Sequence, residues 1–187
     1  MEYLQFGSIK RVALPDGWLA QPERKTPIMT SRSCHPVTTE DVEITFFRRR
    51  QEIAAQPMAA LRETLARAVH RIADASEEVT SLSQAMGNAG DNQWTNKTHG
   101  SGGPPFRLVK AETIQLREKK VLLARGSFLE PTTRRAVNEY CGIFVDAVPD
   151  RYMIEEVFLQ VPSRYGYFQF EQYLKIFTAT ISSIEWM

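Results

Sequence analysis

Ala136-Val137-Asn138-Glu139-Tyr140-Cys141-Gly142-Ile143-Phe144-Val145-Asp146-Ala147 is the stretch on which the fold turns. Cys141, Ile143, Val145 and Ala147 alternate with Tyr140, Gly142, Phe144 and Asp146, the period of two that sends successive side chains to opposite faces of a strand. Both sets are largely apolar, so both faces are expected to be covered. Leu108 to Leu116, Val121 to Leu129 and Met153 to Val161 are runs of the same kind, dense in β-branched and aromatic residues. Glu118-Lys119-Lys120, Pro131-Thr132-Thr133 and Pro149-Asp150-Arg151 separate them as turns. Connectors this short cannot hold a crossover, so the four strands form an antiparallel meander.

Downstream of the meander, Tyr167, Phe170, Leu174, Phe177 and Ile181 step by three and four, the seam of an amphipathic helix. Ser182-Ser183-Ile184-Glu185-Trp186 then reads as an extended segment with Ile184 and Trp186 on one side. Upstream, Met58, Leu61, Leu65, Ala68, Val69 and Ile72 predict a helix entered at Pro57 and running to about residue 75. Val79, Leu82 and Met86 suggest a second short helix over 76–86. Residues 87–105 read as one long polar loop carrying Trp94, and loops of that length are either functional or disordered. Nearer the start, Gly7 to Leu14 suggest a strand, Pro15-Asp16-Gly17 a turn, and Glu43 to Phe47 a strand with Val42, Ile44 and Phe46 on one face. Residues 20–40, with Pro22, Pro27 and Pro36, read as a meandering connection or edge segment. Strands in runs, with helices packed on an antiparallel sheet, define an α+β sandwich of the α/β/α type. A length of 187 residues suits a single domain over 1–187.

Composition narrows the function classes. Hydrophobic residues at 43% and charged residues at 24% are those of a globular chain. The net charge of +1 argues against a dedicated nucleic-acid binder, which needs an excess of Lys and Arg for phosphates. Basic residues cluster only locally, as Arg48-Arg49-Arg50 and Arg134-Arg135; the first run is either a patch for an anionic partner or a solvated strand end that resists edge pairing. The N-terminal residues lack a basic start and an apolar core of signal-peptide length, and no run is long enough to span a membrane, so a cytoplasmic setting is expected.

The Leu14-Pro15-Asp16-Gly17-Trp18 turn leading into a strand and a long helix, the meander, and the closing helix with Ser182-Ser183-Ile184-Glu185-Trp186 together resemble the PsbP-like superfamily. That family includes thylakoid PsbP proteins, Ran-binding Mog proteins, DcrB-like proteins and chaperones of type VI secretion effectors. The resemblance covers nearly the whole chain as a pattern of elements, and two short motifs carry it. It implies an antiparallel sheet flanked by helices and a scaffold that binds partners, often self-associating, in a family whose functions are diverse and mostly non-catalytic. The 87–105 loop is longer than a minimal family member would need, and no lipid-attachment cysteine of the DcrB kind is present.

Candidate chemistry is sparse. Cys34, His35, His70, His99 and Cys141 are the soft ligands, but Cys34 and His35 are adjacent and none has structural-zinc spacing, so no metal or cofactor is expected. A Cys–His nucleophile pair formed by Cys34 or Cys141 with His99 has no local support. Gly100-Ser101-Gly102-Gly103 lacks the Lys-Ser/Thr of a phosphate loop. Glu155 and Glu156, as strand neighbours, face apart and cannot share a proton. The aromatic residues Tyr165 and Phe168 near the last helix, with Trp94 in the loop, remain as surface anchors, since exposed Trp and Tyr are enriched at interface hot spots. The expected function is therefore a non-enzymatic protein-binding module, adaptor or chaperone, with a homodimer as one expected form, using Trp94, Tyr165, Phe168, Arg48, Arg49 and Arg50. The alternatives are a small-ligand protein or enzyme with a pocket between sheet and helix, and a toxin-immunity protein.

Overall fold

The structure, a computed structural model, describes residues 2–27, 29–50, 106–130, 132–146 and 153–187. The helices expected at 57–75 and 76–86 and the loop at 87–105, with His70, Trp94 and His99, lie outside the described residues.

Two antiparallel sheets are present. The larger has the order β3 (Trp18–Ala20), β5 (Met29–Pro36), β6 (Glu43–Arg50), β10 (Met153–Pro162), β9 (Ala136–Asp146), β8 (Lys119–Leu129), β7 (Phe106–Leu116), with β4 (Arg24–Lys25) also on β5. The smaller has the order β1 (Tyr3–Phe6), β2 (Ile9–Ala13), β11 (Glu185–Trp186). The expected meander is there: β7, β8, β9 and β10 pair in succession, each antiparallel. Its first break falls slightly earlier than expected, at Arg117-Glu118, so that Lys119 and Lys120 belong to β8.

Residues 20–40 are not a connection. They hold β4 and β5, and β5 pairs with β3, β4 and β6. Thr30, Ser31, Ser33 and His35 hide this strand, because a polar residue on either face erases the apolar alternation by which strands are recognised. Arg48-Arg49-Arg50 are likewise not at a solvated sheet edge: they end β6, which runs between β5 and β10.

One face of the large sheet carries Ile44, Phe46, Cys141, Ile143, Val145, Val157 and Leu159, all nearly inaccessible. Against it lie the small sheet and the C-terminal helix, Gly166–Ser182, which buries Phe170, Phe177 and Ile181. Truncating a side chain such as Phe177 to Ala would cost about 3–5 kcal/mol. The helix is seated at its end by Ser183, whose Oγ accepts from Ala13 N (3.0 Å) and donates to Thr180 O (2.7 Å). Ile184 and Trp186 are both buried, as their shared side of a strand requires, and Trp186 Nε1 donates to Leu116 O at 3.1 Å. The opposite face of the sheet carries Phe47, Tyr140, Phe144 and Phe158, also buried. Among the described residues no helix is long and apolar enough to cross a membrane.

Candidate functional site

The chain leaves β10 through a 3-10 turn, Ser163–Tyr165, and enters the C-terminal helix at Gly166, whose φ of 78° is open to glycine at little cost. The expected seam holds from Phe170 onward but not at Tyr167. Beneath the first helical turn stands Arg125 of β8, ion-paired with Glu171 and lying over the Phe170 ring at 5.0 Å. Tyr167 reaches the same guanidinium with its hydroxyl. The Tyr167 ring is left 74% exposed, and its neighbour Phe168 equally so. Tyr165 is half-buried; its hydroxyl donates to Asp41 Oδ2 at 3.3 Å, and Arg164 pairs with the same carboxylate.

The β8–β9 loop sits at this same end of the sheet, since Asn138 pairs with Pro162. Glu130 N donates to Arg135 O (2.8 Å) and Arg134 N to Glu130 O (2.9 Å). The Thr133 and Thr132 N–H groups hold the Glu130 carboxyl below its ordinary range. Arg134 has φ 58°, and it and Arg135 are exposed. One end of the molecule thus gathers two bare aromatic rings and two exposed arginines.

The remaining candidates are absorbed by the fold. Arg48 lies opposite Glu155 in the β6–β10 register, its Nε 3.4 Å from Glu155 Oε1. Glu155, 2% exposed, accepts Ser8 N on both oxygens at 2.9 Å and the Ser8 hydroxyl as well. The turn that offers Ser8 needs glycine at position 7 twice over: φ is 54°, and a Cβ there would collide with the Glu155 carboxylate. Arg49 and Arg50 share the strand, but their side chains lie outside the described residues.

Glu156 faces the other way, as expected of a strand neighbour, and receives the Tyr140 hydroxyl at 2.5 Å. Burial lifts its carboxyl to about 7, opposed by that hydrogen bond; the same burial pushes the Tyr140 phenol well up. The Tyr140 ring stacks on Phe158 with centroids 5.7 Å apart and lies across Gly142, where a Cβ would strike the hydroxyl. Gln160 Oε1, beside Tyr140 in the register, has no hydrogen-bond partner among the described residues. Glu43, on the same row, is also raised by burial.

Cys34 and Cys141 are buried free thiols, each pushed up to about 12, first by desolvation. They are neutral near pH 7 and lack the thiolate that nucleophilic or metal chemistry uses. His35 is fixed between two partners. Because Pro36 O can only accept (2.9 Å), Nδ1 carries the proton and Nε2 accepts from Gln21 Nε2 at 2.6 Å. Among the described residues no three His, Cys, Asp or Glu side chains gather.

A cleft of about 630 Å³ opens between the small sheet and the last turns of the helix, lined by Tyr3, Arg11, Leu14, Arg117, Ile176 and Glu185 among others. Arg11 lies over the Tyr3 ring at 3.5 Å, and Arg117 faces Glu185 at 4.0 Å. Neither cysteine lines it.

No family model and no curated protein matches the sequence. Among solved structures, the chain is similar to the cyanobacterial PsbP protein CyanoP from Synechocystis, with a TM-score of 0.53, 10% identity, and coverage of 95% of this chain and 86% of that one. The likeness shows the fold: this chain has a PsbP-like fold, mostly antiparallel sheet with a C-terminal helix.

Proposed function

We propose that this chain is a non-enzymatic protein-binding module of adaptor or chaperone type, working in the cytoplasm, that grips its partner with the aromatic, basic end of the large sheet. The carrying observation is the pair Tyr167 and Phe168, each 74% exposed although the helix buries its seam through Phe170, Phe177 and Ile181. Packing does not use these rings, and exposed aromatics are where binding energy concentrates. Arg134 and Arg135 at the same end favour a partner segment that is apolar and acidic. Tyr165, tethered to Asp41, borders this surface, and Trp94 is proposed to extend it, whereas Arg49 and Arg50, level with Ile154 and Met153, stand at the other end of β10 from Pro162 and would be reached only by a partner that spans the sheet. Arg48 contributes less, its guanidinium being drawn to Glu155. In the proposed single domain over 1–187, the buried face bearing Phe47, Tyr140, Phe144 and Phe158 is where an α/β/α arrangement places its second helical layer. A chaperone of secretion effectors and a toxin-immunity protein would both use such an end.

The test is photo-crosslinking from position 168, with exposed Lys175 as control, then titration of the purified partner against native chain and the Tyr167→Ser/Phe168→Ser double variant. Loss of about thirtyfold or more in affinity is expected, the scale of a hot spot worth about 2 kcal/mol. Equal binding by the double variant, or crosslinks no different from the control, removes the reading.

The cleft supports a second reading, a small-ligand protein. Its size lies within the roughly 300–1,000 Å³ range of ligand sites. Fragments carrying a carboxylate should then raise the melting temperature of the native chain but not of Arg11→Ala.

A further inference from the structure

The large sheet ends at β7, whose eleven residues pair on one side with β8 and, among the described residues, with no strand on the other. The backbone pattern of this edge follows from the turn that starts it. Leu116 and Lys119 flank the two-residue loop Arg117-Glu118, in which Arg117 has φ 54°, and such a flanking pair exchanges both hydrogen bonds. Alternation then turns the N–H and C=O groups of Ile114, Glu112 and Lys110 toward β8, and those of Gln115, Thr113 and Ala111 outward. Trp186 Nε1 caps one end of the strand at Leu116 O. At the other, the register shifts between Leu108 and Lys110. The open stretch is therefore 110–115.

We propose that a second copy of this chain adds to this edge, β7 against β7, antiparallel about Ala111. The charges select that register. A two-fold axis at Ala111 makes it a hydrogen-bonded site using its outward amide groups, and sets Lys110 opposite Glu112 of the second copy, twice per dimer. These are non-hydrogen-bonded sites, where opposed Cα atoms approach to about 4.5 Å and side chains meet most closely. Within one chain Lys110 Nζ lies 2.6 Å from Glu112 Oε1, with the side chains 57% and 40% exposed. The pair is thus accessible and sits on the correct face to close into an alternating ring of four charges. A two-fold about Thr113 would instead set Lys110 against Leu116 and Glu112 against Ile114, with no charge matched. The edge bears none of the proline by which sheets block such addition.

Sedimentation of the full chain across roughly 1 µM to 1 mM, the span of weak contacts of small area, reads the association. Lys110→Glu and Glu112→Lys should each raise the dimer dissociation constant at least about tenfold, by facing like charges across the axis. The decisive measurement is an equimolar mixture of the two variants. Each alone should stay monomeric, whereas the mixture sets the two acids of one chain against the two lysines of the other, so a heterodimer of wild-type affinity forms. Circular dichroism and melting of each variant confirm folding. A native chain that stays monomeric throughout, single variants that dimerise unchanged, or a mixture that stays monomeric would each overturn the proposal; the last would leave a foreign strand as the remaining occupant of the edge.

Discussion

Gly7 and Gly17 both hold left-handed backbone, φ 54° and 74°, yet substitution to alanine should cost them very different amounts. At Gly17 nothing lies within 4 Å of a Cβ, so Gly17→Ala incurs only backbone strain, about 1–2 kcal/mol. At Gly7 the same strain is joined by displacement of the Glu155 carboxylate, which the new methyl would strike. That carboxylate holds Ser8 N and the Ser8 hydroxyl, and hydrogen bonds to a charged acceptor are worth about 1.5–3 kcal/mol each. Losing both brings Gly7→Ala to about 4–8 kcal/mol, on the order of 10–30 °C in melting temperature for a chain of this size. Urea unfolding at neutral pH measures both variants. The mechanism is isolated by a cycle: in a Glu155→Ala background the carboxylate is gone, and Gly7→Ala should cost only the strain, about 1–2 kcal/mol. Equal losses at positions 7 and 17, or additivity of Gly7→Ala and Glu155→Ala, would refute the reasoning.

Glu156 should make stability depend on pH. Its folded pKa of about 7 lies above the unfolded value of about 4.3, so the native state keeps a proton that the unfolded chain has released. Its contribution is full below about pH 4.3 and lost as pH rises through 7, roughly 3–4 kcal/mol in all; the stability difference between native chain and Glu156→Gln should fall by that amount over the window, and a flat difference would contradict it. Gly142→Ala, by pushing the Tyr140 hydroxyl from Glu156, should cost about 2–4 kcal/mol in urea unfolding, with little change as the sign of a ring that moves freely. Both thiols, held near 12 and buried, should label with a disulfide reagent only at rates that rise with denaturant; labelling in native buffer within seconds would show an exposed thiol. Tyr167→Ser/Phe168→Ser, which removes no core contact but does remove the exposed Tyr167–Arg125 hydrogen bond, should cost no more than about 1.5 kcal/mol.

The meander was legible because its strands are long, alternate cleanly and are joined by short polar turns. Strand β5 was not, because Ser31, Ser33 and His35 are polar where a half-buried strand is recognised by its apolar residues. Tyr167 fits the seam by spacing alone. In the fold its hydroxyl meets Arg125, about forty residues earlier in the chain and brought to the helix only by β8. Arg48 shows the same blindness: three arginines in a row suggest solvent, and the cross-strand Glu155 that claims the first is visible only once the β6–β10 register is known. Glu155 and Glu156 were correctly placed on opposite faces, but period two says nothing about depth, and both are buried. The exposed Phe168 could be named in advance because it falls off the helical seam.

The small sheet joins β2 to β11 across most of the chain, with Ala13 N bonded to a side chain 170 residues away. Closing so wide a loop costs about 4–5 kcal/mol of chain entropy before any contact compensates it, whereas the hairpins from β7 to β10 close locally. During synthesis β1 and β2 emerge long before β11 and, as a lone two-stranded ribbon, cannot hold themselves together in water. They gain their third strand only when β11 has been made, so of the described elements the small sheet is the last that can be completed.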